Sequence, residues 1–412
     1  MKKIAFILSF ILLISATGCG SKIDSENLMD GKKPGNVSGV TMSDGEQVVM
    51  TDFGIRLFKE CLEEDKNTLI SPLSVMYALA MTANGAVGET LEEMEAVLGM
   101  SVEDLNQYLY SYAKALPQNE KYKLNLANSI WFIDSASFSV KDGFLQTNAD
   151  YYGAGIYKTP FDNQTVKDIN NWVKENTDGM IPEILDEIPA TAVMYLVNAL
   201  AFDAEWQTPY ASYEVREGEF TLEDGTKQTV SFMHGEDSDY LEDANTTGFL
   251  KYYADGKYAF AALLPKEGMS IEEYVSQLDG RKINSLLTNK TSTTVFTMIP
   301  KFETEYDISM KDVLESMGME LAFNSAKADF SDLGTSENGN IYISRVLHKT
   351  FISMGEKGTK AGAATIVEMD TEGAIMYEEY KEVYLDRPFV YLLIDCETNI
   401  PFFIGTAMQI NE

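Results

Sequence analysis

Residues 358–372, GTKAGAATIVEMDTE, combine two properties that rarely coexist in one segment. The first eight are almost all small, a composition usual in flexible linkers. Yet the side chains separate by parity. Thr359, Ala361, Ala363, Thr365, Val367, Met369 and Thr371 carry no charge, whereas Lys360, Gly362, Ala364, Ile366, Glu368, Asp370 and Glu372 hold all the charges of the stretch. A period of two with charge confined to one face describes a half-buried β-strand. Proline is absent from 355 to 387, so no ladder donor is missing. Small residues are poor formers of a permanent strand, so the run 361–364 is either slack or small because something passes closely over it. Gly358 supplies the dihedral freedom of a hinge. A half-buried strand of this kind would need a sheet to pair with.

The rest of the chain can supply one. It has 412 residues, 45% hydrophobic, enough for a large core. Its formal net charge of −32 disfavours nucleic acid, whose phosphates call for Lys and Arg. The start, MKKIAFILSFILLISATGC, has a basic pair, a short apolar run and small residues before Cys19. It is too short for a stable span and reads as a secretory signal. Small residues ending in Cys resemble the lipobox of bacterial lipoproteins. Residues 1–18 are therefore expected to be a signal peptide and Cys19 a lipid attachment point on the outer face of a bacterial cell membrane, the only membrane contact expected. Residues 19–46, polar and without apolar period, read as a flexible tether. Residues 47–412 read as one domain, with Cys61 and Cys396 as buried free thiols.

Helix signals come early. Val48, Val49, Phe53, Leu57, Phe58 and Leu62 share a helix face. Ser71-Pro72 is an N-cap followed by Pro in the first turn. Thr90-Leu-Glu-Glu93 has the spacing of a capping box, and 167–176 predicts a helix ending by Gly179. Strand signals dominate later, at 124–133, 193–202, 258–264, 294–303, 389–396 and 402–408. The pattern predicts an α+β fold with mainly antiparallel sheets. The histidines are His234 and His348, so a hydrolase triad would have to use one of them. No nucleophile elbow, zinc-protease helix, phosphate loop or dinucleotide fingerprint is present. The composition argues against an enzyme, and no catalytic residue, metal or cofactor is assigned.

Five segments together resemble the serpins. They are NTLISPLSVMYALAMTANGAVGETLEEM (67–94), INNWVKENTDGMI (169–181), LVNALAFDAEW (196–206), ISRVLHKTFISMGEKGTKAGAAT (343–365) and DRPFVYLLIDCETNIPFFIGTAM (386–408). They occur in the family's order and span nearly the whole mature chain. The resemblance implies three β-sheets, eight or nine helices and an exposed reactive-centre loop between Met354 and Leu385, at about 356–385. It implies a suicide-substrate inhibitor of serine, or cysteine, proteases. The protease forms an acyl-enzyme on the loop, and the cut loop then inserts into the large sheet.

It also assigns residues. Glu356, Gly358, Thr359, Ala361, Ala363, Ala364 and Thr365 fall in the hinge. Ser71, Ser74, Asn198 and His348 fall in a polar shutter beneath the sheet. Trp206 lies at the breach where insertion starts. Family spacing puts the attacked bond fourteen residues after Gly358, at Glu372-Gly373, but the loop is longer than usual, and Ala374-Ile375 and Met376-Tyr377 stay open. The expected partner is an extracellular serine protease, held covalently by a monomer. The alternative is a non-inhibitory member acting as a binding or carrier module.

Overall fold

The computed structural model describes residues 23–116, 122–337, 339–359 and 379–411. Cys19, the signal segment, and the residues from Lys360 to Tyr377, including Ala361, Ala363, Ala364, Thr365 and every candidate cut bond, lie outside them.

Among the described residues are nine α-helices and three sheets. The large sheet has seven strands in the order Glu26–Asn27, Gly155–Thr159, Tyr122–Ile133, Met194–Glu205, Gly358–Thr359, Arg345–Gly355 and Phe302–Ser309. A second, nine-stranded sheet runs Tyr380–Tyr384, Thr291–Pro300, Lys227–Glu242, Thr246–Tyr252, Tyr258–Pro265, Phe389–Asp395, Pro401–Ala407 and Leu69–Ile70, with Val215–Thr221 paired beside Lys227–Glu242. Gly334–Ser336 and Phe138–Val140 form a small ribbon.

The long strand Met194–Glu205 is buried on both faces, and its parity sorts two clusters. Tyr195, Val197 and Ala199 pack with Trp131, Ile169, Trp172 and Val173, beneath the helix Asn163–Asn176. Leu196, Leu200, Phe202 and Ala204 join the main core. There the helix Pro72–Ala83 packs against the sheet with every residue buried. A helix apolar all round has to sit inside, and this one starts where the sequence places it. Ser71 is extended and its hydroxyl accepts the Ser74 N–H at 3.3 Å, with Pro72 in the first turn.

Four expectations change. The capping-box spacing at Thr90 does not mark a helix start: the helix is Gly88–Leu98, and the buried Thr90 hydroxyl accepts from the Asp329 N–H instead. The apolar run at 294–303 is two strands, Thr291–Pro300 and Phe302–Ser309, in different sheets. Residues 23–42, expected as a tether, lie against the body. Glu26–Asn27 adds an edge strand to the large sheet, and the Ser25 N–H and Oγ donate to the buried Asp168 carboxylate at 2.8 and 2.6 Å. Leu28, Met29 and Met42 are partly buried against the main core, too few and too irregularly spaced to leave an apolar period to read. Finally, the loop expected between Met354 and Leu385 is anchored further in at both ends. Gly358–Thr359 is buried in the large sheet, and Tyr380–Tyr384 is an edge strand of the second. Both described cysteines are free thiols, Cys61 buried and Cys396 half-buried.

Candidate functional site

The strands Met194–Glu205 and Arg345–Gly355 run parallel, but they pair directly only at one end, from Tyr195↔Arg345 to Asn198↔His348. Beyond His348 they are held apart. At the far end, Gly358 and Thr359 sit between them, antiparallel to both: Thr359 opposite Met354 and Ala204, Gly358 opposite Gly355 and Glu205. Between these two ties, 349–353 on one strand and 199–203 on the other have no direct ladder pairing with each other, though each is paired on its other side.

The lower tie is polar and fully buried. The Ser71 main-chain N–H donates to His348 Nε2 at 3.1 Å. An amide can only donate, so Nε2 is bare and the proton sits on Nδ1, which donates to Asn198 Oδ1 at 2.8 Å. The Ser74 hydroxyl donates to the same oxygen at 3.0 Å. His348 is 1% exposed, and burial pushes its imidazole down to about 3, so it is neutral at any ordinary pH. The four residues assigned to the shutter therefore meet, with a division of labour the sequence did not show. Ser71 contributes its main chain and a cap, whereas Ser74 supplies the hydroxyl on Asn198. Asn198 also faces Asn128 in register, and Asn198 Nδ2 and Asn128 Oδ1 are buried without hydrogen-bond partners.

The upper tie is aromatic. Trp206 ends the Met194–Glu205 strand, and its Nε1–H donates to the Gly355 carbonyl at 2.9 Å, its main-chain N–H to that of Lys357 at 2.8 Å. Its ring stacks on Tyr253 at 4.4 Å. The Tyr253 hydroxyl meets Thr359 Oγ1 at 2.5 Å, and Thr359 is buried. Gly358 has φ +150°, and a Cβ there would lie 1.9 Å from the Ala204 carbonyl oxygen, so only glycine fits. In the turn before it, Glu356 pairs with Lys301 at 2.9 Å; burial would raise its carboxyl, but Lys301 outweighs this and holds it low. Tyr253 and Lys301 escaped the sequence reading, because each is an ordinary strand-end residue whose partner is set only by the fold.

His234 lies in the second sheet, opposite Met298, away from this polar tie.

These features define a class: a large sheet with a slot between two parallel strands, capped by the start of a small-residue segment. A family-model match to "Serpin (serine protease inhibitor)" covers residues 49–410. The chain is 31% identical over 370 residues to an uncharacterized serpin-like protein of Thermococcus kodakarensis, covering 87% of this chain and 84% of that one. It is 30% identical over 374 residues to the leukocyte elastase inhibitor of Xenopus laevis, covering 86% and 97%. The native-state crystal structure of a thermophilic serpin, tengpin, matches with a TM-score of 0.90 at 50% identity, over 94% of this chain and 100% of that one. The chain belongs to the serpin family.

Proposed function

We propose that this protein is an inhibitor of serine proteases that works as a suicide substrate. The observation that carries the reading is the seated pair Gly358–Thr359, the first rung of a strand already placed between the two strands that must part. Thr359 is the first member of the uncharged parity set and is buried, as that set requires of a core-facing row.

The register can be continued arithmetically. Thr359 opposite Met354 and Ala204 brings Ala361 opposite Ile352 and Phe202, Ala363 opposite Thr350 and Leu200, and Thr365 opposite His348 and Asn198. All six of these strand residues are buried. Two small alanines thus meet the packed core, and the first residue able to hydrogen-bond arrives at the polar tie. There its hydroxyl can accept the His348 Nδ1 proton and donate to Asn198 Oδ1, replacing the bond that insertion breaks.

In this scheme a protease serine adds through its Oγ to the Glu372 carbonyl. The Glu372–Gly373 bond breaks, the Gly373 amine leaves with a proton, and an ester joins Glu372 to the protease. Insertion of 360–372 before water cleaves the ester carries the protease away from the loop's starting position and traps it. The relatives' inhibitor descriptions support the same reading. The basic start, apolar run and Cys19 support export and lipid anchoring outside a bacterial cell. The test is incubation of the full chain with a glutamate-specific serine protease and with an elastase, followed by denaturing electrophoresis. A denaturant-stable adduct and a released fragment beginning at Gly373 are expected. Complete turnover of the loop without adduct would sink the inhibitory reading.

A further inference from the structure

The carbonyls of Gly355, Glu356 and Lys357 lie in the reversal that turns the strand Arg345–Gly355 back into Gly358–Thr359. Two residues hold all three. Trp206 donates its Nε1–H to Gly355 and its main-chain N–H to Lys357, and the Tyr210 main-chain N–H donates to Glu356 at 2.9 Å. The side chains of both residues are buried, and their rings meet one cation. The Lys251 ammonium lies 4.3 Å from the Tyr210 ring centroid and 5.5 Å from that of Trp206. It stands near the end of the strand Thr246–Tyr252, with its side chain only 5% exposed.

Lysine is almost never fully buried unless it is paired. Here the partner is Asp237, 3.6 Å away and 9% exposed. One oxygen of Asp237 faces the ammonium, and the other accepts the buried Thr297 hydroxyl at 2.9 Å. Burial pushes the Lys251 ammonium down and the Asp237 carboxyl up, and each partner opposes the other's shift. An unbranched apolar side chain would fill the same space without the cost of burying two charges. What the cation adds is direction, because it attracts the faces of two rings at once and fixes their height and tilt together. A pocket of about 450 Å³, lined by both members of the pair and by Gln207 and Thr208, opens beside it. Close packing does not hold the 206–210 segment on that side, which leaves the task to the pair.

In the inhibitory scheme, each residue added to the strand after Thr359 relies on the same reversal, which keeps its place as the strand grows. A reversal that yields lets Gly358–Thr359 leave the slot, and water then reaches the ester before insertion is complete.

We propose that Lys251, paired with Asp237, is a positioning residue that fixes this reversal and so sets the fraction of cleaved inhibitor that traps its protease. The proposal rests on the inhibitory reading above. It concerns the race between insertion and hydrolysis of the ester, and leaves the rate of loop cleavage untouched.

The experiment uses the full chain with the glutamate-specific protease and with the elastase. It reads the rate of loop cleavage and the adduct formed per cleaved inhibitor. Lys251→Met/Asp237→Asn removes both charges and nearly keeps the volume. Tyr210→Leu removes one ring and keeps the main-chain donor to Glu356. Each is expected to lower the adduct yield about threefold or more, with the cleavage rate unchanged and the rise in melting temperature on cleavage retained. Combined, they are expected to lose no more than the worse of the two, because both act through one platform. An unchanged yield in Lys251→Met/Asp237→Asn would overturn the positioning role and leave the inhibitory reading standing. So would losses that multiply in the combined variant. Should the charge-free variant fail to melt cooperatively, Tyr210→Leu decides alone, and an unchanged yield there overturns the proposal. A loop fully cut without adduct in the unaltered chain would overturn both readings.

Discussion

Acid should loosen the lower tie before it affects most of the molecule. His348 titrates at about 3 in the folded chain, because burial disfavours its charged form; an unfolded histidine titrates near 6.5. The folded value is depressed, so below about 6.5 the unfolded chain binds a proton that the folded chain refuses. Stability is then present above 6.5 and lost as pH falls towards 3. Between pH 7.5 and 5 the loss works out at about 2 kcal/mol, from RT ln(1 + 10^1.5). Carboxylates with ordinary values titrate mainly below that window, but His234, also held low by burial and then by Arg216, contributes with the same sign. The comparison with His348→Gln removes that background. Gln can accept the Ser71 N–H and donate to Asn198 without titrating. Urea midpoints of the first unfolding transition, at intervals from pH 7.5 to 5, should fall more steeply for the wild type than for His348→Gln, by about 2 kcal/mol at the acid end. Parallel falls would refute the argument that a buried neutral imidazole ties the two strands.

Three further outcomes follow from the slot. Ala363→Arg places a charge on the row that continues to Thr350 and Leu200, so the loop should be cut without trapping; adduct yield per cleaved inhibitor should collapse, whereas Lys360→Glu on the opposite parity should leave it nearly unchanged. Gly358→Val meets the Ala204 carbonyl, so the seated pair should be expelled, visible as altered Trp206 fluorescence and a loss of about 2 kcal/mol or more in urea. Trp206→Phe removes the donor to the Gly355 carbonyl and should cost about 1–3 kcal/mol by the same assay.

Much of this arrangement could be read from the chain. Ser71-Pro72 starts its helix because cap and first-turn chemistry are local, and the strand through Asn198 and the buried Thr359 follow from periodicity of one segment at a time. What stayed hidden depends on partners far away in sequence. Thr90 has a capping spacing, yet the helix begins at Gly88 and its hydroxyl serves Asp329. Ser74 was placed in the shutter by resemblance, but that its hydroxyl serves Asn198 shows only in the fold, and Tyr253 gains its role only when Thr359 is brought to it. The docking of 23–42 rests on a two-residue edge strand, on single side chains and on the demand of buried Asp168 for donors, and none of these has a period.

The central claim is that the segment after Thr359 becomes a strand between Met194–Glu205 and Arg345–Gly355. Thermal unfolding before and after limited cleavage in the loop measures it most directly. With cleavage between Glu372 and Gly373, insertion should complete the sheet and raise the melting temperature by about 20 °C or more. A cleaved chain that melts where the intact one does would contradict the account.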